Sequence, residues 1–295
     1  MSLLKKGDTV GLIAPSCGGK KTDLPLLKRL FEQLELKVIY ADNLTDSFRY
    51  MAGSDEVRAK EFNRMVKDSK VKALFCLRGG AGATRMLDKV DFALLKKHPK
   101  PIIGLSDSTA LQNAAVKLAN NISLTGFLPL YEVKTGKINE FMVKELQKTL
   151  FEDKHEISSG KCLKSGKTEG KIVGGCLSVF NLLCGTKYFP NLRGKILLLE
   201  DVGEKTYKID LWLQQLKQQP HFDELKGIIF GKFSDCEIKD KNDGTIADCI
   251  SDFAKGLNVP VICDFAYGHI PERHIIPLGI KVKMSATAKN CTLRW

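Results

Sequence analysis

The sequence predicts a two-domain α/β protein, and three observations carry that reading. Short apolar runs alternate with amphipathic stretches at helical spacing. A polar, aperiodic segment rich in Lys, Ser and Gly at 152–170 divides them, as a linker would. The 295 residues are enough for two domains of ordinary size. The N-terminal domain is expected over 1–151 and the C-terminal domain over 171–295.

Along the chain, Val10–Ala14 reads as the first strand. Leu24, Leu27, Leu30, Phe31 and Leu34 then recur at helical spacing, with Asp23 as N-cap and Pro25 in the first turn. Lys37–Tyr40 reads as a second strand, and Ser54 caps a helix to about Lys67. Val71–Leu77 is a continuous buried strand running into Arg78-Gly79-Gly80-Ala81-Gly82. After a short helix come the strand Pro101–Leu105 and a helix from about Ser108 to Ala119. This half reads as a mostly parallel, Rossmann-like sheet flanked by helices.

Beyond the linker, Lys195–Leu199 is a strand, Tyr207–Lys217 a helix and Gly227–Phe230 a strand. Residues 245–256 read as helical and Val259–Phe265 as a strand. Ile280–Leu293 alternates as a terminal hairpin does, giving the second domain a β-rich end.

Composition narrows the function classes. Lys and Arg number 46 against 34 Asp and Glu, a net charge of +12, which suits nucleic acid or small anionic ligands. The lysines are scattered, however, and no nucleic-acid motif accompanies them, so neither nucleic acid nor membrane is expected as a partner. No apolar run approaches the ~18–20 residues of a membrane span. Charges at Lys5, Lys6 and Asp8 occupy the place of a signal peptide's apolar segment, so no export is expected. Nine cysteines, with Cys76 and Cys263 inside apolar runs, read as reduced thiols of a cytoplasmic protein. The sequons at Asn43, Asn121 and Asn290 then carry no meaning.

Two motifs fail on spacing. Gly166-Lys167-Thr168 lacks the phosphate loop's leading glycine, since position 161 is Lys. His269 and His274 are five apart with Glu272 misplaced for a zinc helix, and there is no Cys-x-x-Cys. No metal and no cofactor are expected.

The informative segment is Gly104-Leu105-Ser106-Asp107-Ser108, where an apolar strand ends and a helix begins at once. That resembles a nucleophile elbow, although Gly-x-Ser-x-Ser departs from Gly-x-Ser-x-Gly. Ser and Asp also serve as plain helix caps, and both readings stand at this point. A serine nucleophile needs a base with an orienting partner. His98, His155 and His221 read as surface residues, whereas His269 lies on the loop leaving a strand, where α/β folds build sites. A structural role for His269 is equally open. Glu200 ends the buried run Lys195–Leu199 and would orient the base, with Asp201 and Glu204 as competitors.

Together these segments resemble the LD-carboxypeptidase family of serine peptidases, which includes muramoyl-tetrapeptide carboxypeptidases and microcin C self-immunity peptidases. The resemblance rests on Lys6–Val10 with Ala14-Pro15-Ser16, Ala52-Gly53-Ser54-Asp55 with Arg58, and the glycine loop with Arg85. It continues through Gly104–Asp107, Gly174-Gly175, Gly185-Thr186, Leu199–Glu204 with Tyr207 and Asp210, and Gly268-His269. It implies a Ser106–Glu200–His269 triad, with oxyanion donors from the backbone N–H of Asp107 and of Gly79 or Gly80. Arg78 and Ala81 are then substrate-binding positions. The nucleophile would come from the first domain and the Glu–His pair from the second, with the site between them.

Departures from the family pattern fall at Ala81, at Phe127 and at Cys176, where Tyr, a His-Gly-Pro stretch and Asn are usual. They bear on substrate more than on chemistry. The implied activity is removal of the terminal D-Ala from murein tetrapeptides through an acyl-enzyme, in murein recycling. The implied partner is a small muropeptide, and the implied assembly a homodimer. The alternatives are a microcin-immunity-like peptidase acting on peptidyl or acyl-sulfamoyl nucleotides, and a catalytically silent ligand-binding relative.

Overall fold

The computed structural model describes residues 2–236, 242 and 244–295. It divides into two compact units, Met1–Asp153 with Ile275–Leu278 and Lys154–His274 with Gly279–Trp295.

The first unit runs β1 (Thr9–Ile13), α1 (Leu24–Gln33), β2 (Lys37–Tyr40), α2 (Asp55–Lys67), β3 (Val71–Cys76), α3 (Ala83–Met86) and α4 (Phe92–Lys97). It continues with β4 (Ile102–Gly104), α5 (Thr109–Ala119), β5 (Ser123–Thr125), α6 (Pro129–Glu132) and α7 (Glu140–Phe151). Strands β2-β1-β3-β4-β5 pair in parallel in that order. The order reverses beside β1, so the loops leaving β1, β3 and β4 converge where doubly wound folds place ligands.

Burial explains why these segments are strands. In β3 only Lys72 is exposed, because both faces of a central parallel strand are covered by helices. The helices start on expected signals: Ser54 Oγ accepts from Val57 N at 3.4 Å, and Asp91 caps α4 through Leu94 N at 2.8 Å. Asp23 precedes α1 but does not cap it; its carboxylate accepts from Lys20 N at 2.7 Å. Phe75 is fully buried, edge-on to Phe31 at 5.2 Å and to Phe127 at 6.3 Å. Phe75→Ala is expected to cost about 3–5 kcal/mol in denaturant unfolding; a loss below about 1 kcal/mol would contradict this packing.

The second unit contains β6 (Glu156–Ser158), β7 (Lys161–Lys164), β8 (Gly166–Cys176), α8 (Leu177–Asn181), β9 (Lys195–Val202), α9 (Thr206–Lys217), β10 (Gly227–Ser234), α10 (Ile246–Ala254) and β11 (Val261–Cys263). After β12 (Ile276–Leu278) come β13 (Lys281–Ala286) and β14 (Cys291–Arg294). Its sheet has the order β6-β14-β13-β8-β9-β10-β11-β7. Strands β8 to β11 are parallel, and the flanking pairs are antiparallel.

Two boundaries differ from the sequence reading. The stretch 152–170 is not a bare linker: it holds β6, β7 and the start of β8, with β6 and β7 at the two sheet edges. Edge strands show polar faces to water, so Ile157 is buried between exposed Glu156 and Ser158, and no apolar run announces them. Strand β12, expected in the second domain, pairs antiparallel with β5 and belongs to the first unit, closing that sheet's edge.

Candidate active site

In the first unit, Ser106 follows β4 with φ +64° and opens a tight 3-10 turn over Ser106–Ser108 that leads directly into α5. A left-handed backbone at a non-glycine residue is strained, and it turns the side chain out of the sheet. Neither the turn nor α5 has a side-chain cap: Ser108 Oγ donates back to Leu105 O at 2.8 Å. The glycine loop after β3 presses on this turn. A Cβ at Gly79 would lie 2.8 Å from Ser106 Cβ and 2.9 Å from its Oγ, so only glycine allows that approach.

Asp107 is buried, and its Oδ2 accepts from Ser16 Oγ at 2.6 Å and from Ala83 N at 2.8 Å. Ser16 belongs to the loop after β1 and Ala83 to the end of the glycine loop, so one carboxylate joins three loops. Burial pushes its pKa up, against these bonds and the nearby Arg58 charge. Arg58, fully inside, donates to Pro15 O, to Gly82 O at 2.8 Å and to Asp55, which also pairs with Arg85 at 3.0 Å.

In the second unit, His269 Nδ1 lies 2.8 Å from Glu200 Oε2. The Glu200 side chain is 0% exposed and that of His269 11%. Glu200 stands on β9 opposite Cys176 of β8. Its other oxygen, Oε1, has no hydrogen-bond partner among the described residues. With Nδ1–H donating to Glu200, a neutral imidazole carries its lone pair on Nε2. Gly268 has φ +127°, and a Cβ there would meet Glu200 Oε2 at 2.8 Å. Lys232 N donates to Tyr267 O at 2.8 Å, tying the histidine loop to β10.

The competing carboxylates are otherwise engaged. Asp201 accepts from Ser178 N at 2.7 Å and Val202 N at 2.8 Å, and burial raises its pKa. Glu204 pairs with Lys208 at 3.0 Å. Neither caps α9, whose N-cap, Lys205, makes no side-chain capping bond. Cys176 is a buried thiol pushed well up by burial and by the neighbouring Glu200 and Asp201 charges.

Of the remaining positions, Arg78, Gly80 and Ala81 are exposed and Gly79 is half-buried. Phe127 is a core residue against Phe75. His155, read as a surface residue, is buried and stacked on Trp295 at 5.0 Å, because the chain end folds over it. Arg273 was not anticipated: Pro271-Glu272-Arg273-His274 reads as a polar turn, yet Arg273 is fully buried and donates to Ile270 O at 2.7 Å. Among the described residues no cluster of three or more His, Cys, Asp or Glu could hold a metal ion. No helix among them is long and apolar enough to cross a membrane.

Comparison with known proteins agrees with this architecture. Residues 10–126 match the LD-carboxypeptidase N-terminal domain, and residues 169–284 the LD-carboxypeptidase C-terminal domain. A probable murein peptide carboxypeptidase of Bacillus subtilis (strain 168) is 33% identical over 299 residues, covering 98% of this chain and 92% of the relative. A murein tetrapeptide carboxypeptidase of Pseudomonas aeruginosa is 27% identical over 303 residues, covering 97% and 94%. The crystal structure of an MccF-like protein from Bacillus anthracis str. Ames superposes with a TM-score of 0.88 at 25% identity, covering 99% and 98%. Matched in both halves and along nearly its full length, the chain belongs to the LD-carboxypeptidase family.

Proposed function

We propose that the chain is a serine LD-carboxypeptidase that removes the terminal D-Ala from murein tetrapeptides, acting in murein recycling. The observation that carries the chemistry is the pairing of His269 Nδ1 with buried Glu200 at 2.8 Å, which leaves Nε2 as the base. On this reading Nε2 takes the Ser106 Oγ proton as Oγ attacks the carbonyl between diaminopimelate and D-Ala. The backbone N–H of Asp107 and of Gly79 or Gly80 stabilises the resulting oxyanion.

Collapse of that intermediate breaks the C–N bond, and the imidazolium gives its proton to the departing amine. Water, deprotonated by His269, then attacks the serine ester; the acyl C–Oγ bond breaks, the imidazolium returns its proton to Ser106 Oγ, and the tripeptide is freed. Glu200 holds the imidazole in the required tautomer throughout. On this reading Arg78, exposed at the start of the glycine loop, is a cation for the substrate's carboxylates, and exposed Ala81 lines the same site. The net charge of +12 favours such an anionic peptide. The reading includes no metal or cofactor, a cytoplasmic location and a homodimer, which sedimentation tests.

The likeness to an MccF-like protein supports a second reading, hydrolysis of peptidyl or acyl-sulfamoyl nucleotides. A panel of tetrapeptide, its all-L isomer and an aspartyl-sulfamoyl adenosine separates them. The first reading expects turnover of the tetrapeptide alone. Turnover confined to the nucleotide would favour the second, and binding without turnover a silent relative.

A further inference from the structure

We propose that the Asp107 carboxylate is a positioning residue that sets the spacing between the two oxyanion donors by fastening the nucleophile turn to the glycine loop. The inference rests on the reading of Asp107 N–H and the Gly79–Gly80 amides as those donors, and it assigns the side chain a separate task. Asp107 sits in the turn that begins a helix, yet its carboxylate caps neither the turn nor α5. Both bonds of Oδ2 go to residues far along the chain, Ser16 Oγ and Ala83 N.

Arg58 completes the clamp from the opposite charge. It holds the carbonyl of Gly82 while Asp107 holds the Ala83 amide that follows that carbonyl, and it reaches Pro15 O in the loop that carries Ser16. The end of the glycine loop is therefore fixed in position, and its beginning is wedged by Gly79 against Ser106. Fixing both ends leaves Gly79 and Gly80 one placement relative to the Asp107 amide. Preorganised donors depend on such placement, since misplacement by about 1 Å costs on the order of 100-fold in rate.

A carboxylate kept for stability alone would be chosen differently. The titratable groups facing it are the Arg58 guanidinium from α2 and the Cys76 thiol of β3, which burial pushes up to about 12. Even with Arg58 nearby, burial holds the Asp107 pKa above its ordinary value of 3.8. A raised acid stabilises the fold below its unfolded pKa, and that contribution is lost as pH rises through the folded pKa. The ionised form of this group is therefore the less stabilising one for the fold, which a role in the site accounts for.

The test compares wild type, Asp107→Asn and Ser16→Ala by steady-state kinetics on the tetrapeptide and by amide hydrogen exchange. Asp107→Asn is expected to lower kcat about 10- to 100-fold with KM within about twofold. Its Ala83 amide should exchange at least about tenfold faster while β3 amides keep their protection. Ser16→Ala, which leaves the carboxylate in place, should show a smaller change of the same kind. Wild-type kcat in folded Asp107→Asn, or unchanged Ala83 protection, would overturn the proposal. Should Asp107→Asn not fold, wild-type kcat and Ala83 protection in Ser16→Ala would do the same. If wild type itself does not cleave the tetrapeptide, the proposed substrate falls, while the exchange data still decide whether Asp107 holds the loop.

Discussion

Glu200→Gln is expected to lower kcat about 10⁴-fold while leaving the fold intact. The carboxylate accepts from His269 Nδ1 at 2.8 Å and is closed off from water. A glutamine fits the same space, but its amide is donor as well as acceptor. If the Nε2 amide group faces Nδ1, the imidazole must accept there and carry its proton on the other nitrogen, so it can no longer act as base toward Ser106. The imidazolium formed during turnover also loses its buried counter-charge. The measurement is kcat with circular dichroism on the same sample. Activity within about tenfold of wild type would show that Glu200 does not orient the base.

Gly79→Ala is expected to reduce kcat at least about 100-fold. The added methyl would sit 2.8 Å from Ser106 Cβ and 2.9 Å from Oγ, closer than packed atoms tolerate. Either the serine rotates away or the glycine loop retreats, and the proposed mechanism needs both in place. The Ser106 backbone is already strained at φ +64°, which leaves the turn little room to adjust. Gly136, with nothing within 4 Å of its Cβ position, provides the comparison: Gly136→Ala pays only for a φ of +77° and should cost stability without lowering kcat. Equal kcat in Gly79→Ala and wild type would remove the glycine loop from the mechanism.

The parts of the fold that were legible in the sequence are those whose burial repeats along the chain. Val71–Cys76 and Lys195–Val202 are central strands with continuous apolar runs, and Leu27, Leu30 and Phe31 mark the buried face of α1. Strands β6 and β7 escaped because an edge strand needs apolar residues on one face only, and theirs are few. The brief β12 could not be assigned to the first unit from sequence, since pairing across 150 residues leaves no local trace.

Site residues followed a similar rule. Ser106 stood out because a strand end, a serine and a helix start are adjacent in the chain. Glu200 is singled out by ending the apolar run, but Asp201 and Glu204 compete with it there, because which one faces His269 depends on the alternation of β9 and on the loop after β11. Arg58 could be read as part of a motif, but its bonds to Pro15 and Gly82 depend on loops brought together only by the fold. Arg273 left no signal at all, since an arginine that folds inward to donate to a backbone carbonyl looks in sequence like any polar turn residue.

The central claim is that Ser106 cleaves an L,D peptide bond at a free carboxyl terminus. The most direct test is mass spectrometry of L-Ala-D-Glu-meso-diaminopimelate-D-Ala incubated with wild type and with Ser106→Ala. Loss of one alanine with wild type, and none with Ser106→Ala, is the expected result. Equal loss with both proteins would contradict the assignment of the nucleophile.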